Sequence, residues 1–473
     1  MIDNIKTKII SMRRDRIKSE GYALGVEIPE ERRVPLTLFC ESPGLICEIK
    51  RKSPSKGDIR FDLDAVAQSK LYYSKGVKSV SVLTEENHFN GSLKDLIAVK
   101  EATPELAVLR KDFLIDTEDI ITSYKAGADA VLLIASALTL DALKEMYQLS
   151  TELGMKVLFE VHDQKDFEKA NIIKPEITGI NCRDLSSFSI DLASPIKKLF
   201  NLNYEGKKIF ESGIFGSWSA NVALSNGFDG LLVGESVVRA PELIPSLLGT
   251  FPSENRQSKF WSNLYKKNHL PLIKICGLTR EEDVYYADKL GADIMGFIFA
   301  ESPRRVSPSF VRSLPKTKAL KVGVVTDWEQ DKESLTTLLD AGYLDAIQFH
   351  RAPSGKLLKD FKYPFYIGIE AKSIEEYRGQ RDIPSIRHLI DAFHKDRFDT
   401  NASKTLSPEI ITEASKSKPL WLAGGLNPDN IHEIVKMYQP ELVDVASGVE
   451  SSPGIKDHRK MESFFKETRV ESI

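Results

Sequence analysis

The residues best suited to chemistry stand where short apolar runs end. Glu48 and Lys50 close ICEIK, Lys111 follows AVLR, and Glu160 stands in VLFEVH. Asn181 and Arg183 belong to ITGINCRD, and Glu211 and Ser212 to KIFESGI. Two lysines, an arginine and three carboxylates brought to one place could protonate, deprotonate and hold an anion. A second group differs in character. Cys276 ends LIKIC and Asp391 ends HLID, a thiol and a carboxyl that suit a base and an acid facing each other across one mouth. Small residues follow the last two runs of each half: Ser212, Gly213 and Gly234 in the first, Gly424, Gly425, Ser447 and Gly448 in the second. At such turns backbone N–H groups stay open to a phosphate.

These residues can meet only if the chain gathers the ends of many strands. Eight β-type runs recur at βα-unit spacing from Cys47 to Ser236, and eight more from Leu272 to Gly448. Between them lie amphipathic stretches such as DLDAVAQSKLYYSKG and DALKEMYQLSTELG, the latter stopped by Gly154. The reading is α/β, two tandem (β/α)8 TIM barrels, whose active sites form at the carboxyl ends of the strands. An open doubly wound sheet shares the alternation but rarely gives eight regular units with phosphate-type turns after the last two. Residues 1–250 would form the first barrel with an N-terminal helical extension, in which Ile5, Ile9, Ile10, Ile17 and Leu24 recur at helical spacing. Residues 251–269 read as a polar linker with a short helix, and 270–473 as the second barrel. The turns make a phosphorylated sugar derivative the expected substrate.

Composition narrows the field. Of 473 residues 42% are hydrophobic and 28% charged, with a formal net charge of -3, as in a soluble globular protein. Basic residues are scattered among acids, so no nucleic-acid partner is expected. No apolar run approaches the roughly 20 residues of a membrane span. Cys40, Cys47, Cys182 and Cys276 show no paired spacing, which argues against disulfides or structural zinc and for a reducing cytoplasm. No metal or redox cofactor is called for, and a monomer is expected.

The blocks EIKRKSPSKGDIR, SVLTEENHFNGS, LRKDFLID, GINCRDL, ESGI and VGES resemble indole-3-glycerol-phosphate synthase across nearly all of residues 1–250. The resemblance implies that 1-(2-carboxyphenylamino)-1-deoxyribulose 5-phosphate is cyclised, decarboxylated and dehydrated. It makes Lys111 the general acid, Glu160 the carboxylate assisting proton removal and dehydration, and Glu48 and Asn181 the partners of substrate hydroxyls. Lys50 and Ser53, on the loop RKSPSKG, would close over the ligand, with Lys50 bridging phosphate and carboxylate. Arg183 would meet the anthranilate carboxylate, and Glu211 would also contact substrate. Ser212, Gly213, Gly234 and Glu235 would hold phosphate through backbone N–H groups, with the Glu235 side chain turned to solvent. Phe89 and Phe113 are walls for an aromatic ring or, equally, core. A lysine crowded by cations in a dry mouth would have a lowered pKa, suiting it to polarise a ketone.

The second half, with KICGLTR, LIDAF, LAGGLNPDN and VDVASGVESSPGIKD, resembles phosphoribosylanthranilate isomerase over residues 270–460, and the order resembles the bifunctional enzyme of tryptophan biosynthesis. It implies that Asp391 protonates the furanose oxygen, Cys276 takes the C2 proton, and Arg304 meets the anthranilate carboxylate. Lys274, on the same strand face, is the candidate cation for lowering the thiol pKa. His350, closing IQFH, lines the same mouth or serves a structural hydrogen bond. One departure stands out: after Asp391 the chain runs AFHKDRFDTNASKTLSPEII, where the family has a glycine-rich loop. The alternative is therefore a synthase whose second barrel only binds ligand or braces the first. Barrels of histidine biosynthesis would carry paired aspartates in place of KICG and EIK.

Overall fold

A computed structural model describes residues 3–53, 57–183, 190–251, 259–267, 269–391, 407–416 and 419–469. The chain divides into two compact units, Met1–Arg256 and Gln257–Ile473. Of the altered segment after Asp391, residues 392–406 lie outside the described residues.

In the first unit, β1 (Gly44–Ile49), β2 (Ser79–Leu83), β3 (Ala107–Lys111) and β4 (Ala130–Ile134) are followed by β5 (Lys156–Val161), β6 (Ile177–Asn181), β7 (Lys207–Glu211) and β8 (Gly230–Val233). All neighbours are parallel, and β8 pairs with β1 to close the barrel. Side chains fill the inside and helices cover the outside, so these strands are almost continuously buried and apolar. The connecting turns carry helix caps. Asp64, Asp116, Thr139 and Asp163 each accept a backbone N–H from the first turn of the following helix. Every βα turn so capped fixes where its strand stops, and with it the position of the strand-end side chain.

The N-terminal extension is one helix, α1 (Asp3–Glu20), anchored by a buried arginine. Arg13 is 6% exposed and donates to Asp112 at 2.9 Å and Asp119 at 2.5 Å. The apolar spacing of the sequence marked this segment as helical; it is Arg13 that seats it on the barrel.

The second unit closes in the same order: β9 (Leu272–Cys276), β10 (Ile294–Ile298), β11 (Leu320–Val325), β12 (Ala346–Phe349), β13 (Phe365–Glu370), β14 (His388–Asp391), β15 (Trp421–Ala423) and β16 (Leu442–Val445). The stretch read as a linker contains the helix Phe260–Tyr265, and that helix is core. Phe260, Trp261 and Leu264 are fully buried, and the Trp261 ring lies 5.9 Å from that of Trp421 on β15. Polar neighbours in sequence masked this apolar plug.

Trp261→Ala should cost the second unit about 3–5 kcal/mol, the usual range for emptying a large aromatic site. In urea unfolding followed by circular dichroism, the transition of that unit should move to lower denaturant while the other stays in place.

Candidate active sites

A cavity of about 420 Å³ opens at the carboxyl ends of the first barrel's strands, a volume suited to a small organic ligand. Glu48, Lys50, Lys111, Glu160, Asn181 and Arg183 line it, as do Glu211, Ser212, Gly213, Gly234 and Glu235. Ser53, Phe89 and Phe113 complete the set picked from the sequence. Phe113 also packs against the barrel core. Phe89 is presented by a turn built on Glu85, whose Oε2 accepts the N–H groups of His88 at 2.7 Å and Phe89 at 3.0 Å. Among the lining residues that sequence reasoning missed are Lys6 and Ile9 of α1, with Lys6 Nζ donating to Ser136 Oγ at 2.9 Å.

The centre is a cluster of opposite charges. Lys111 Nζ lies 2.7 Å from Glu211 Oε2 and 3.4 Å from Glu160 Oε2. Lys50 pairs with Glu48, and the Asn181 side chain is fixed by the Arg183 N–H at 3.0 Å. Glu211 is squeezed against the neighbouring strand, since a Cβ on Gly179 would fall 1.8 Å from Glu211 Oε1.

These neighbours reverse one expectation. Lys111 is ringed by carboxylates rather than cations. Burial pulls its pKa down, but Glu211, Glu160 and Glu48 outweigh burial and the net shift is upward. The two ends of the Lys111–Glu211 pair do not respond as mirror images. Burial lifts the Glu211 carboxyl, Lys111 opposes, Glu160 lifts it further, and it ends raised. Burial also lifts Glu160, yet Lys111 and His162 prevail and hold it down.

Beyond β7, Ser212 and Gly213 both have left-handed backbones, with φ of 69° and 71°. A turn of this kind can present backbone N–H groups to an anion. The Ser236 hydroxyl ties the last two loops together by donating to Ile214 O at 2.6 Å. The Glu235 side chain turns away to Arg239 at 3.0 Å.

The second barrel repeats the phosphate-type turn with other chemistry at its centre. After β15, Gly424 and Gly425 have φ of 86° and 70°. Gly448, after β16, leaves no room for a Cβ, which would come within 1.9 Å of Leu426 O. Ser447 begins the single helical turn that carries it. At the mouth, Cys276 is 7% exposed. Lys274, beneath it, is fully buried and bound to Asp444 and, at 2.7 Å, to Gln348 Oε1. Lys456 donates to the Cys276 carbonyl at 2.6 Å and to Glu450 at 3.0 Å, while Arg304 grips Glu450 at 2.6 Å. Burial raises the thiol pKa; Lys274 and Lys456 oppose it without cancelling it.

Across the mouth, His350 Nε2 is 2.9 Å from Glu370 Oε1, and one atom each of His350, Glu370 and Asp391 lies within 4.8 Å of the others. The sequence reading foresaw no such grouping. It has the composition of a cation site, yet the ion pair accounts for it without one.

Sequence comparison agrees with this division. The family profile "Indole-3-glycerol phosphate synthase" matches residues 30–247, and "N-(5'phosphoribosyl)anthranilate (PRA) isomerase" matches 273–467. The chain is 31% identical to the multifunctional tryptophan biosynthesis protein of Phycomyces blakesleeanus, over 93% of its own length and 64% of that protein's. It spans about three-fifths of each of the three fungal multifunctional proteins it matches. It is 30% identical to the tryptophan biosynthesis protein TrpCF of Vibrio parahaemolyticus, over 93% of its own length and 87% of that protein's. The chain belongs to the TrpCF family.

Within this TrpCF-family chain, several site residues had no signal of their own in the sequence. Asp444, Glu450 and Lys456 sit inside VDVASGVESSPGIKD, which drew attention only for its glycines; Gln348 lies two residues before His350, and Glu370 ends a strand from which no residue was singled out. Arg13 and Asp112 act behind Lys111. Asp112 accepts from Arg13, from Arg110 at 3.1 Å and from Thr84 at 2.6 Å, so the residue next to Lys111 is clamped from three sides. Burial would lift the Asp112 carboxyl, but Arg13 and Arg110 hold it down to about 2.

Removing one partner of a buried pair leaves an uncompensated charge, so Arg13→Met should destabilise the first barrel by about 3–5 kcal/mol at neutral pH. An unfolded aspartate titrates near about 3.9, above the folded value, so the Asp112 contribution is complete above that pH. It fades as pH falls toward 2. Urea unfolding of both proteins between pH 7 and 2.5 should therefore show the gap narrowing below pH 4. A gap that widened on acidification would overturn this account of Asp112.

Proposed function

We propose that the chain carries out two consecutive steps on one phosphorylated anthranilate sugar, isomerisation in the second barrel and indole formation in the first. In the second barrel, Asp391 protonates the furanose ring oxygen of N-(5-phosphoribosyl)anthranilate, and the C1–O bond opens to a Schiff base. Cys276 takes the C2 proton, and the enol becomes the ketone of 1-(2-carboxyphenylamino)-1-deoxyribulose 5-phosphate. Lys274 and Lys456 are the cations beside the thiol, Arg304 meets the substrate carboxylate, and His350 faces the sugar from the Asp391 side. Phosphate rests on Gly424, Gly425, Ser447 and Gly448.

In the first barrel the ring carbon attacks the ketone while Lys111 protonates the oxygen. A raised lysine pKa is no obstacle. The hydroxyl being formed resembles water, whose pKa is about 15.7, so an ammonium remains the stronger acid and stays charged until used. Carbon dioxide then leaves, and Glu160 assists proton removal and loss of water. Glu48 and Asn181 orient the sugar hydroxyls, Arg183 and Lys50 receive the carboxylate, and Glu211 holds Lys111 in place. Phe89 and Phe113 flank the aromatic ring, with Ser53 at the closing loop. Phosphate rests on the N–H groups of Ser212, Gly213, Gly234 and Glu235.

The observation that carries this reading is Lys111 held between Glu160 and Glu211 inside a closed ring of strand ends, with the left-handed turn of Ser212 and Gly213 beside it. Supplied with phosphoribosylanthranilate made in situ, Lys111→Ala should accumulate the ribulose intermediate and form no indole-glycerol phosphate. Asp391→Asn and Cys276→Ala should lose isomerisation by about 10² to 10⁴ while still converting supplied intermediate. If Lys111→Ala accumulates nothing beyond the uncatalysed rate, the second barrel only binds or braces.

Gly179→Ala tests the placement of Glu211. A displacement near 1 Å can cost about 10²-fold, so kcat on supplied intermediate should fall by that order with isomerisation intact.

A further inference from the structure

The reaction proposed for the first barrel consumes a proton, and the inference below rests on that reading. The substrate's carboxylate leaves as neutral carbon dioxide and its hydroxyl as water, so charge balances only if one proton enters from solvent at each turnover. The groups that handle protons are shut away. Glu160 is 5% exposed and Glu211 1%, and bound substrate covers them further.

One titratable group reaches this cluster from outside the cavity. His162, just past the end of β5, places Nε2 2.6 Å from Glu160 Oε1, while the other oxygen of that carboxylate faces Lys111. Glu160 thus spans two environments, ammonium on one side and imidazole on the other. His162 is not part of the cavity lining, and its side chain keeps 11% of its surface in solvent. Its loop is pinned: the His162 N–H donates to Asp166 Oδ2 at 2.9 Å, and the Asp166 N–H donates to Asp163 Oδ1 at 3.0 Å. The charged groups facing Glu160 are Lys111 from β3, Glu211 from β7, Glu48 from β1 and His162; those flanking His162 are Asp163 and Asp166.

We propose that His162 is the proton relay of the first barrel, carrying a proton from solvent to Glu160 along a path the substrate does not block. A solvent or buffer acid protonates Nδ1. The Nε2–H bond then breaks as an O–H bond forms on Glu160 Oε1, leaving a neutral ring with its proton on Nδ1. Glu160 passes that proton to the departing hydroxyl as the C–O bond breaks and water leaves, and the proton the substrate loses in the same dehydration returns to Lys111, which gave one to the ketone oxygen in ring closure. Exchange with solvent resets the ring, and no electrons change hands.

The test uses the full chain with His162→Ala and His162→Gln, assayed on supplied ribulose intermediate at low buffer concentration with and without imidazole. Glutamine keeps a hydrogen-bond donor for Glu160 but cannot relay. Both variants should lose about tenfold or more in kcat, the lower range for a lost proton-transfer group, with KM changed by less than about twofold. Added imidazole should restore His162→Ala in proportion to its concentration, and isomerisation by the second barrel should be unchanged in both. The relay is overturned if glutamine matches the wild type, if imidazole restores nothing, or if alanine leaves kcat intact. A wild-type chain unable to convert the intermediate would instead sink the synthase reading, before any His162 variant is considered.

Discussion

Lys111 sits out of water with Glu211 at 2.7 Å and Glu160 at 3.4 Å, and the rest of the first barrel's mouth is arranged around making that tolerable. A single buried ion costs several kcal/mol, and one partner repays that only with good geometry. Here the lysine has three carboxylates in reach, one of them lifted toward its neutral form by burial. The turns beyond β7 and β8 adjoin this cluster: Ser212 follows Glu211 directly, and a Cβ on Gly234 would fall 2.6 Å from Glu48 Oε1. Ser212 holds a left-handed backbone that costs a non-glycine residue about 1–3 kcal/mol.

The second barrel builds its centre with the signs exchanged. Its central group is the buried Cys276 thiol, with Lys274 below, Lys456 at its carbonyl and Arg304 nearby, and with Asp444 opposing them. Each cation is itself stabilised by a carboxylate one step further out, Asp444 for Lys274 and Glu450 for the other two. In the first barrel, partners of opposite sign overcome burial, and lysine is the more firmly charged for it. In the second they do not, and burial leaves the thiol pKa raised. The barrels share a frame and a phosphate-type turn; the sign of the charge around the central residue distinguishes them.

How much of this was legible in the sequence follows from the range of each interaction. Strand ends were legible because period, capping residues and turn glycines are local, and a closed barrel turns sixteen local facts into two rings. The residues that line the first mouth were legible because many of them stand at those ends. What surrounds them was not. Lys111 was read as crowded by cations because RKD and EIK count residue types, whereas its neighbours come from β5 and β7, about 50 and 100 positions away. Arg13 reaches Asp112 across 99 positions, and nothing in RRDRIK separates it from its exposed neighbours. Trp261 lies in a polar stretch, and only the partner it meets, Trp421, makes it core.

Two devices of different physical kind shape these barrel mouths. In the glycine turns, the fit depends on backbone shape and steric exclusion. A Cβ on Gly213 would come within 2.5 Å of Leu192 and 2.8 Å of Cys182, and one on Gly448 within 1.9 Å of Leu426 O. At the reacting end it depends on buried charge, which is sensitive to every neighbour but indifferent to small changes in distant loops. The glycine turns of the two barrels thus share one backbone device while the charge at the centre differs, a lysine among carboxylates in the first and a thiol beside two lysines in the second.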